Sequence, residues 1–143
     1  MMTFGHLAGA AAAAALLLAG PAAAAPPSVA VSDAVEGLWR NGKDTVRIRT
    51  YVCGVSICGQ IVRADAKARA DAADGGTKQL VGTQVFREFR PASGGTWKGK
   101  VYVPDINRTF SGVLSLAAPD KLIGKGCVLG GLICKSSTWT RVR

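Results

Sequence analysis

From residue 37 onward, apolar and polar side chains alternate in short runs separated by turn residues. Residues 36–40 are apolar at their centre, with Leu38 and Trp39, and Asn41-Gly42 ends them with a strong hairpin signal. Residues 44–53 place Val46, Ile48 and Thr50 on one side and Arg47, Arg49 and Tyr51 on the other, the pattern of a half-buried strand. After Gly54-Val55-Ser56, residues 57–64 continue with Gly59 and Ile61 facing in and Gln60 facing out. Residues 80–90 are strand-like. Residues 96–103 set Trp97, Gly99, Val101 and Val103 against Lys98, Lys100 and Tyr102. Residues 108–117 set Phe110, Gly112, Leu114 and Leu116 against Thr109, Ser111 and Ser115. Residues 122–128 and 133–142 flank a Gly130-Gly131 turn.

One interval breaks the alternation. Residues 65–76 are rich in Ala, with Asp65/Arg69 and Lys67/Asp71 four apart, which predicts one or two helical turns stopped by Gly75-Gly76. Eight regularly spaced strands joined by short turns predict an all-β fold. An eight-stranded antiparallel up-and-down barrel removes both sheet edges; a two-sheet sandwich is the alternative. Glycines facing inward at Gly59, Gly99 and Gly112 suit tight bends and are expected to leave space within the wall.

The first 25 residues contain no Lys, Arg, Asp or Glu. Leu7–Ala19 is an apolar run broken by Gly20-Pro21, and Ala22–Ala25 offers small residues for cleavage, the layout of a secretory signal peptide. The run falls short of the ~20 residues a membrane span takes. The expected organisation is a cleaved leader over 1–24, a tether over 25–35 and one domain over 36–143, exported to the periplasm and not transmembrane after cleavage. An uncleaved apolar helix is the competing reading.

Export gives the four cysteines their meaning: an even number in an oxidising compartment predicts two disulfides. They fall into local pairs, Cys53 with Cys58 and Cys127 with Cys134, each flanking a turn. Local pairing is expected; crossed pairing stays open if both turns lie at one end of the barrel. The spacings are not those of a zinc site or a redox Cys-x-x-Cys, so no metal and no cofactor is expected.

Charge narrows the partners. The net charge is +9, and all 18 Lys and Arg lie beyond the leader. Solubility alone accounts for such a balance. In an exported protein nucleic acid is not an expected partner, and the alternative to a solvated surface is an anionic envelope surface met by a patch of Lys98, Lys100, Lys121, Lys125 and Arg143. The only histidine, His6, sits in the leader, which removes the Ser-His-Asp, Cys-His and His-metal designs from the mature chain. Glu88 is the one carboxylate inside a strand, whereas Asp44, Asp65, Asp105 and Asp120 sit at turns. The reading is non-enzymatic.

Gly37 and Trp39 open the first strand and Arg141 ends the last. In a closed meander those strands are neighbours, so Arg141 is placed to stack on Trp39 and close the barrel. Gly-x-Trp with a terminal-strand Arg resembles the signature of the lipocalin and fatty-acid-binding superfamily. A closer resemblance rests on GLWR (37–40), TVRIRTYVCGVSICGQIV (45–62), GTWKGKVYVPD (95–105) and GCVLGGLICKSSTWTRV (126–142). Together these blocks are similar to the bacterial family called domain of unknown function 2147. That resemblance implies an exported Gram-negative protein with a lipocalin-like fold; it implies no established reaction, so no catalytic residue is carried over from it. The chain departs from the family pattern at ARADAADGGTKQL and at residues 105–110.

The function expected from all this is a periplasmic lipocalin-like protein that holds a small apolar or amphiphilic ligand inside the barrel. Its lining would be Val46, Ile48, Ile61, Trp97, Val101, Phe110, Leu114 and Leu116. The competing expectation is a barrel plugged by those same residues, acting through its basic exterior on anionic lipid, lipopolysaccharide or a partner protein.

Overall fold

The computed structural model describes residues 19–22 and 33–143. The leader and most of the tether lie outside these, apart from 19–22. Eight strands run in chain order: β1 (Gly37–Asn41), β2 (Val46–Cys53), β3 (Ser56–Ala64), β4 (Gln84–Ala92), β5 (Thr96–Val103), β6 (Arg108–Ala118), β7 (Lys121–Val128) and β8 (Ile133–Arg141). A single helix, α1 (Ala66–Asp74), separates β3 from β4. Every strand pairs antiparallel with the next, and β8 returns to β1, which closes the barrel.

The two ends differ. The hairpins β2–β3, β4–β5 and β6–β7, with the entry to β1, gather at one end. The turns β1–β2, β5–β6 and β7–β8 gather at the other, together with α1. The first end is filled: Trp39, Trp97, Phe89, Ile57, Leu114 and Leu122 are all buried there. Val35, read as the last residue of the tether, is fully buried too, so the core begins ahead of β1.

α1 forms for the local reasons visible in its sequence. Asp65 caps its N-terminus, accepting from the Ala68 amide at 2.8 Å, and Lys67 pairs with Asp71 at 2.7 Å. Arg69 instead donates to the Ala64 carbonyl at 3.1 Å. The helix end packs on the 3-10 turn Pro104–Ile106 so closely that a Cβ on Gly75 would collide with the Asp105 carbonyl.

β4 departs from plain alternation. Its pairing with β5 slips between Arg87 and Arg90, and Glu88 sits there at φ 50°, exposed on the bulge. One extra residue therefore turns both Phe86 and Phe89 inward, and their rings meet edge to face at 5.7 Å. These two rings occupy the space expected beside the inward glycines. A Cβ on Gly59 would lie 2.7 Å from the Phe86 ring, and one on Gly99 would lie 2.8 Å from Phe89. A Cβ on Gly112 would collide with Val101. These glycines are there for close packing, not to thin the wall.

Candidate functional site

The closed end is built around Trp39. Its Nε1 donates to the Val35 carbonyl at 3.1 Å and to Thr50 Oγ1 at 2.9 Å, and Thr50 in turn donates to the Val35 carbonyl. Both buried polar groups are thereby satisfied. The Arg141 guanidinium stacks on the Trp39 ring at 4.2 Å. It also donates to the carbonyls of Glu36 at 2.7 Å, Pro119 at 3.0 Å and Ala34. One side chain thus ties the entry segment to the β6–β7 hairpin. Gly37, at φ 148°, leaves room for it; a Cβ there would collide with the guanidinium.

Above this plug the barrel is hollow. A cavity of about 940 Å3 opens at the α1 end, near the top of the ~300–1,000 Å3 usual for small-molecule sites. Of the residues expected to line it, Val46, Ile48, Ile61, Val101 and Phe110 do. Trp97, Leu114 and Leu116 do not. They lie toward the closed end, next to the β4–β5 and β6–β7 hairpins, and there they fill core. The residues that complete the wall come from strands whose inward face the sequence left unassigned: Val85 and Phe86 on β4, Gly124, Gly126 and Val128 on β7, and Trp139 on β8. Phe86 and Trp139 meet edge to face at 6.2 Å. The alternation of β8, counted from Trp139, carried that signal; the bulge of β4 did not show in the sequence.

The mouth is uneven. β1 is short and meets β8 over Trp39↔Arg141, Arg40↔Thr140 and Asn41↔Trp139. Residues 133–138 of β8 therefore face a gap where β1 has already turned away. Beside it the β7–β8 hairpin exposes Leu129, Leu132 and Ile133, with Leu132 at 87%. On the opposite rim the Thr77 hydroxyl donates to the Pro104 carbonyl at 2.8 Å and lies 2.6 Å from the Tyr102 hydroxyl, which donates to Asn107 Oδ1 at 2.8 Å. This network fixes the segment after α1 to the β5–β6 turn. The Asp71 carboxylate beside Lys67 raises that ammonium's pKa, chiefly by hydrogen bonding. The Arg47 guanidinium hydrogen-bonded to Asp44 lowers that carboxyl below its ordinary value.

Cys53–Cys58 lies at the closed end and Cys127–Cys134 at the open end, with Cα–Cα distances of 5.8 and 4.1 Å. The two turns are thus at opposite ends, and the condition for crossed pairing is absent. Among the described residues no cysteine is free and no group of three His, Cys, Asp or Glu side chains gathers to hold a metal. No described helix is long and apolar enough to cross a membrane.

The basic residues divide. Lys98, Lys100 and Lys125 share the outer face of β5–β7 and are exposed. Arg90 lies directly opposite Lys98, and Arg87 opposite Lys100, so both arginines join this group. Arg87 also stacks on Tyr102 at 4.7 Å. Lys121 and Arg143 sit apart, nearer the closed end.

A closed eight-stranded meander with one filled and one hollow end defines a lipocalin-like barrel. The structure resembles the Helicobacter pylori protein HP1028, described as belonging to the lipocalin family. The TM-score is 0.58 at 11% identity, covering 76% of this chain and 83% of that one. The profile of the bacterial family described as "uncharacterized protein conserved in bacteria (DUF2147)" matches residues 37–141, and the chain belongs to that family. No curated protein matches the sequence.

Proposed function

We propose that this protein is a non-enzymatic periplasmic carrier that holds a small apolar or amphiphilic ligand in the upper half of its barrel. The observation that supports this most is the 940 Å3 cavity, walled by Val46, Ile48, Ile61, Phe86 and Phe110 and opening at the α1 end. Apolar walls reward an apolar occupant in proportion to the area withdrawn from water. The periplasmic assignment draws on the leader-like residues 1–24 and on two disulfides, which persist in oxidising compartments. Native mass spectrometry of protein recovered from the periplasm tests both parts. A mass that begins at Ala25, lacks free thiols and carries a displaceable small molecule is the expected result. Titration with an uncharged apolar fluorophore should show binding that depends weakly on salt. No bound molecule and no probe binding would overturn the reading.

A second reading is favoured by the like charges set opposite one another at Arg90↔Lys98 and Arg87↔Lys100. Such pairs cost stability, so a polyanionic surface that neutralises them is a natural partner. Binding to anionic vesicles that falls steeply with salt, without uptake of the probe, would put this reading first.

A further inference from the structure

Most polar side chains around the cavity are already engaged. Asn41 Oδ1 accepts from the amides of Thr45 at 2.9 Å and Val46 at 3.1 Å, and its Nδ2 donates to Thr45 Oγ1 at 2.8 Å. Asp65 caps α1, Lys67 holds Asp71, and Tyr102 is shared between Thr77 and Asn107. Trp139 Nε1 donates to Ser137 Oγ at 2.9 Å. Lys135 stands apart from these. It lies two and four residues before Ser137 and Trp139 on β8, so the strand's period of two puts it on their inward face, and it lines the cavity. Its partner across β7 is Gly126, which offers no side chain. On its other side is the gap left by β1. Among the described residues it forms no ion pair.

We infer that the cavity takes an amphiphile with one anionic head, carboxylate, sulfate or phosphate monoester. The head is held at Lys135 and the tail lies on Ile48, Phe86 and Trp139. This rests on the cavity reading above. The lysine stem can run along the apolar wall while its ammonium stays at the mouth, where the gap admits a hydrated head group. Lys135 is exposed at the mouth, and a hydrogen bond between its ammonium and an anionic head is charge-assisted, stronger than one to a neutral head. Lys43, on the β1–β2 turn, also lines the cavity and adds to the positive field on that side. Three acids line the cavity, all on the far side from the gap: Asp71 is committed to Lys67, Asp65 caps α1, and Asp105 belongs to the β5–β6 turn.

Calorimetry with dodecanoate, 1-dodecanol and dodecyltrimethylammonium, each below its micellar concentration, tests the assignment. The tails are equal, so differences in affinity report the head. Dodecanoate should bind about tenfold more tightly than 1-dodecanol, equivalent to about 1.4 kcal/mol, and the cationic amphiphile more weakly than either. Lys135→Met should bring dodecanoate down to the level of 1-dodecanol and leave 1-dodecanol unchanged. Lys78→Met, an equal change of charge outside the cavity, should preserve the preference. Equal binding of acid and alcohol by the native protein, or a preference that survives Lys135→Met, would overturn the inference while leaving the cavity reading in place. Failure of both dodecanoate and 1-dodecanol to bind would overturn both.

Discussion

The two ends of this barrel use the same strands for opposite purposes. At the closed end a tryptophan, an arginine and a threonine satisfy every polar group they bury and lock four chain segments together. At the open end the strands splay. β1 abandons β8 after three residue pairs, the β7–β8 hairpin carries exposed leucines, and the helix is fixed to one side of the rim only. Stability is concentrated where there is no room for a ligand, and the hollow end is spared the packing that would fill it. A barrel of this size can therefore be both well cored and hollow, a combination that a uniform view of its interior would exclude.

The largest test of that division is at Trp39. Trp39→Ala should cost ~3–5 kcal/mol, the usual range for a buried large aromatic. Arg141→Ala should destabilise as well, and the double variant should lose less than the two single losses together, because the stacking and the carbonyl contacts are shared. Additive losses in denaturant unfolding would show that the two residues act separately. At the open end Trp139→Ala, at a half-buried position, should lose clearly less. Equal losses would erase the contrast between the ends.

Two glycines paired directly across β6 and β7 mark where the packed part gives way to the hollow. Gly112→Val drives a side chain into Val101 and Phe89 and should cost ~1–3 kcal/mol. Gly126→Val meets its nearest atom, the Ser111 carbonyl oxygen, only at 4.0 Å, and projects into the cavity. It should leave the melting temperature nearly unchanged and weaken uptake of an apolar probe several-fold. The reverse pattern would mean that the space lies over Gly112 and the packed ring over Gly126.

These two glycines also mark the boundary of what the sequence discloses. Strand periodicity placed Gly112 on an inward-facing pattern but left Gly126 unassigned with the rest of β7, and the barrel with the helix between β3 and β4 could be read from alternation and turn residues. What decides whether an inward glycine leaves space is the ring that comes to lie over it. Phe86 and Phe89 reach Gly59, Gly99 and Gly112 only because β4 bulges at Glu88, which takes a left-handed backbone that nothing in the neighbouring residues specifies. The same holds for Trp97, Leu114 and Leu116. Their inward parity and their place beside the β4–β5 and β6–β7 turns were legible, but which end of the barrel is filled depends on the rings and the entry segment that pack there. Lys135, by contrast, was within reach: counting back in twos from Trp139 puts it inside.

The disulfides should separate the ends by dynamics, not by stability. They close loops of sequence separation 5 and 7, so chain entropy gives each about 2 kcal/mol. Replacing either pair by serine should lower stability similarly. Amide exchange should differ. Without Cys53–Cys58, protection should change little locally, since Ser56 and Ile57 remain packed at the closed end. Without Cys127–Cys134, exchange should rise selectively over residues 126–136, whose hairpin is exposed and has only its own ladder and the edge of β6 besides the bridge. Uniform changes in both variants would mean that the β7–β8 hairpin is held by more than its bridge.

The smallest expected effect concerns charge. The three ion pairs among the described residues, Asp44–Arg47, Asp44–Arg63 and Lys67–Asp71, all lie at the open end. At the closed end Arg141 is held by carbonyls and an indole ring, none of which titrates. The Arg47 hydrogen bond lowers the Asp44 carboxyl pKa. Its contribution to folding is therefore present above the ordinary carboxylate pKa and is lost as pH falls through the lowered folded value. Lys67 has its pKa raised by Asp71. Its contribution is complete below the ordinary lysine pKa and is lost as pH rises through the raised folded value. Both groups are exposed and screened, so each loss is small. Amide exchange should show the open rim loosening slightly in strong acid and again in strong alkali, with the Trp39 surroundings unchanged. Asp44→Asn should remove its part of the acid limb and leave the alkaline one. If the closed end loosens first in acid, a titrating group supports Trp39 and Arg141 after all, and the two ends are not electrostatically independent.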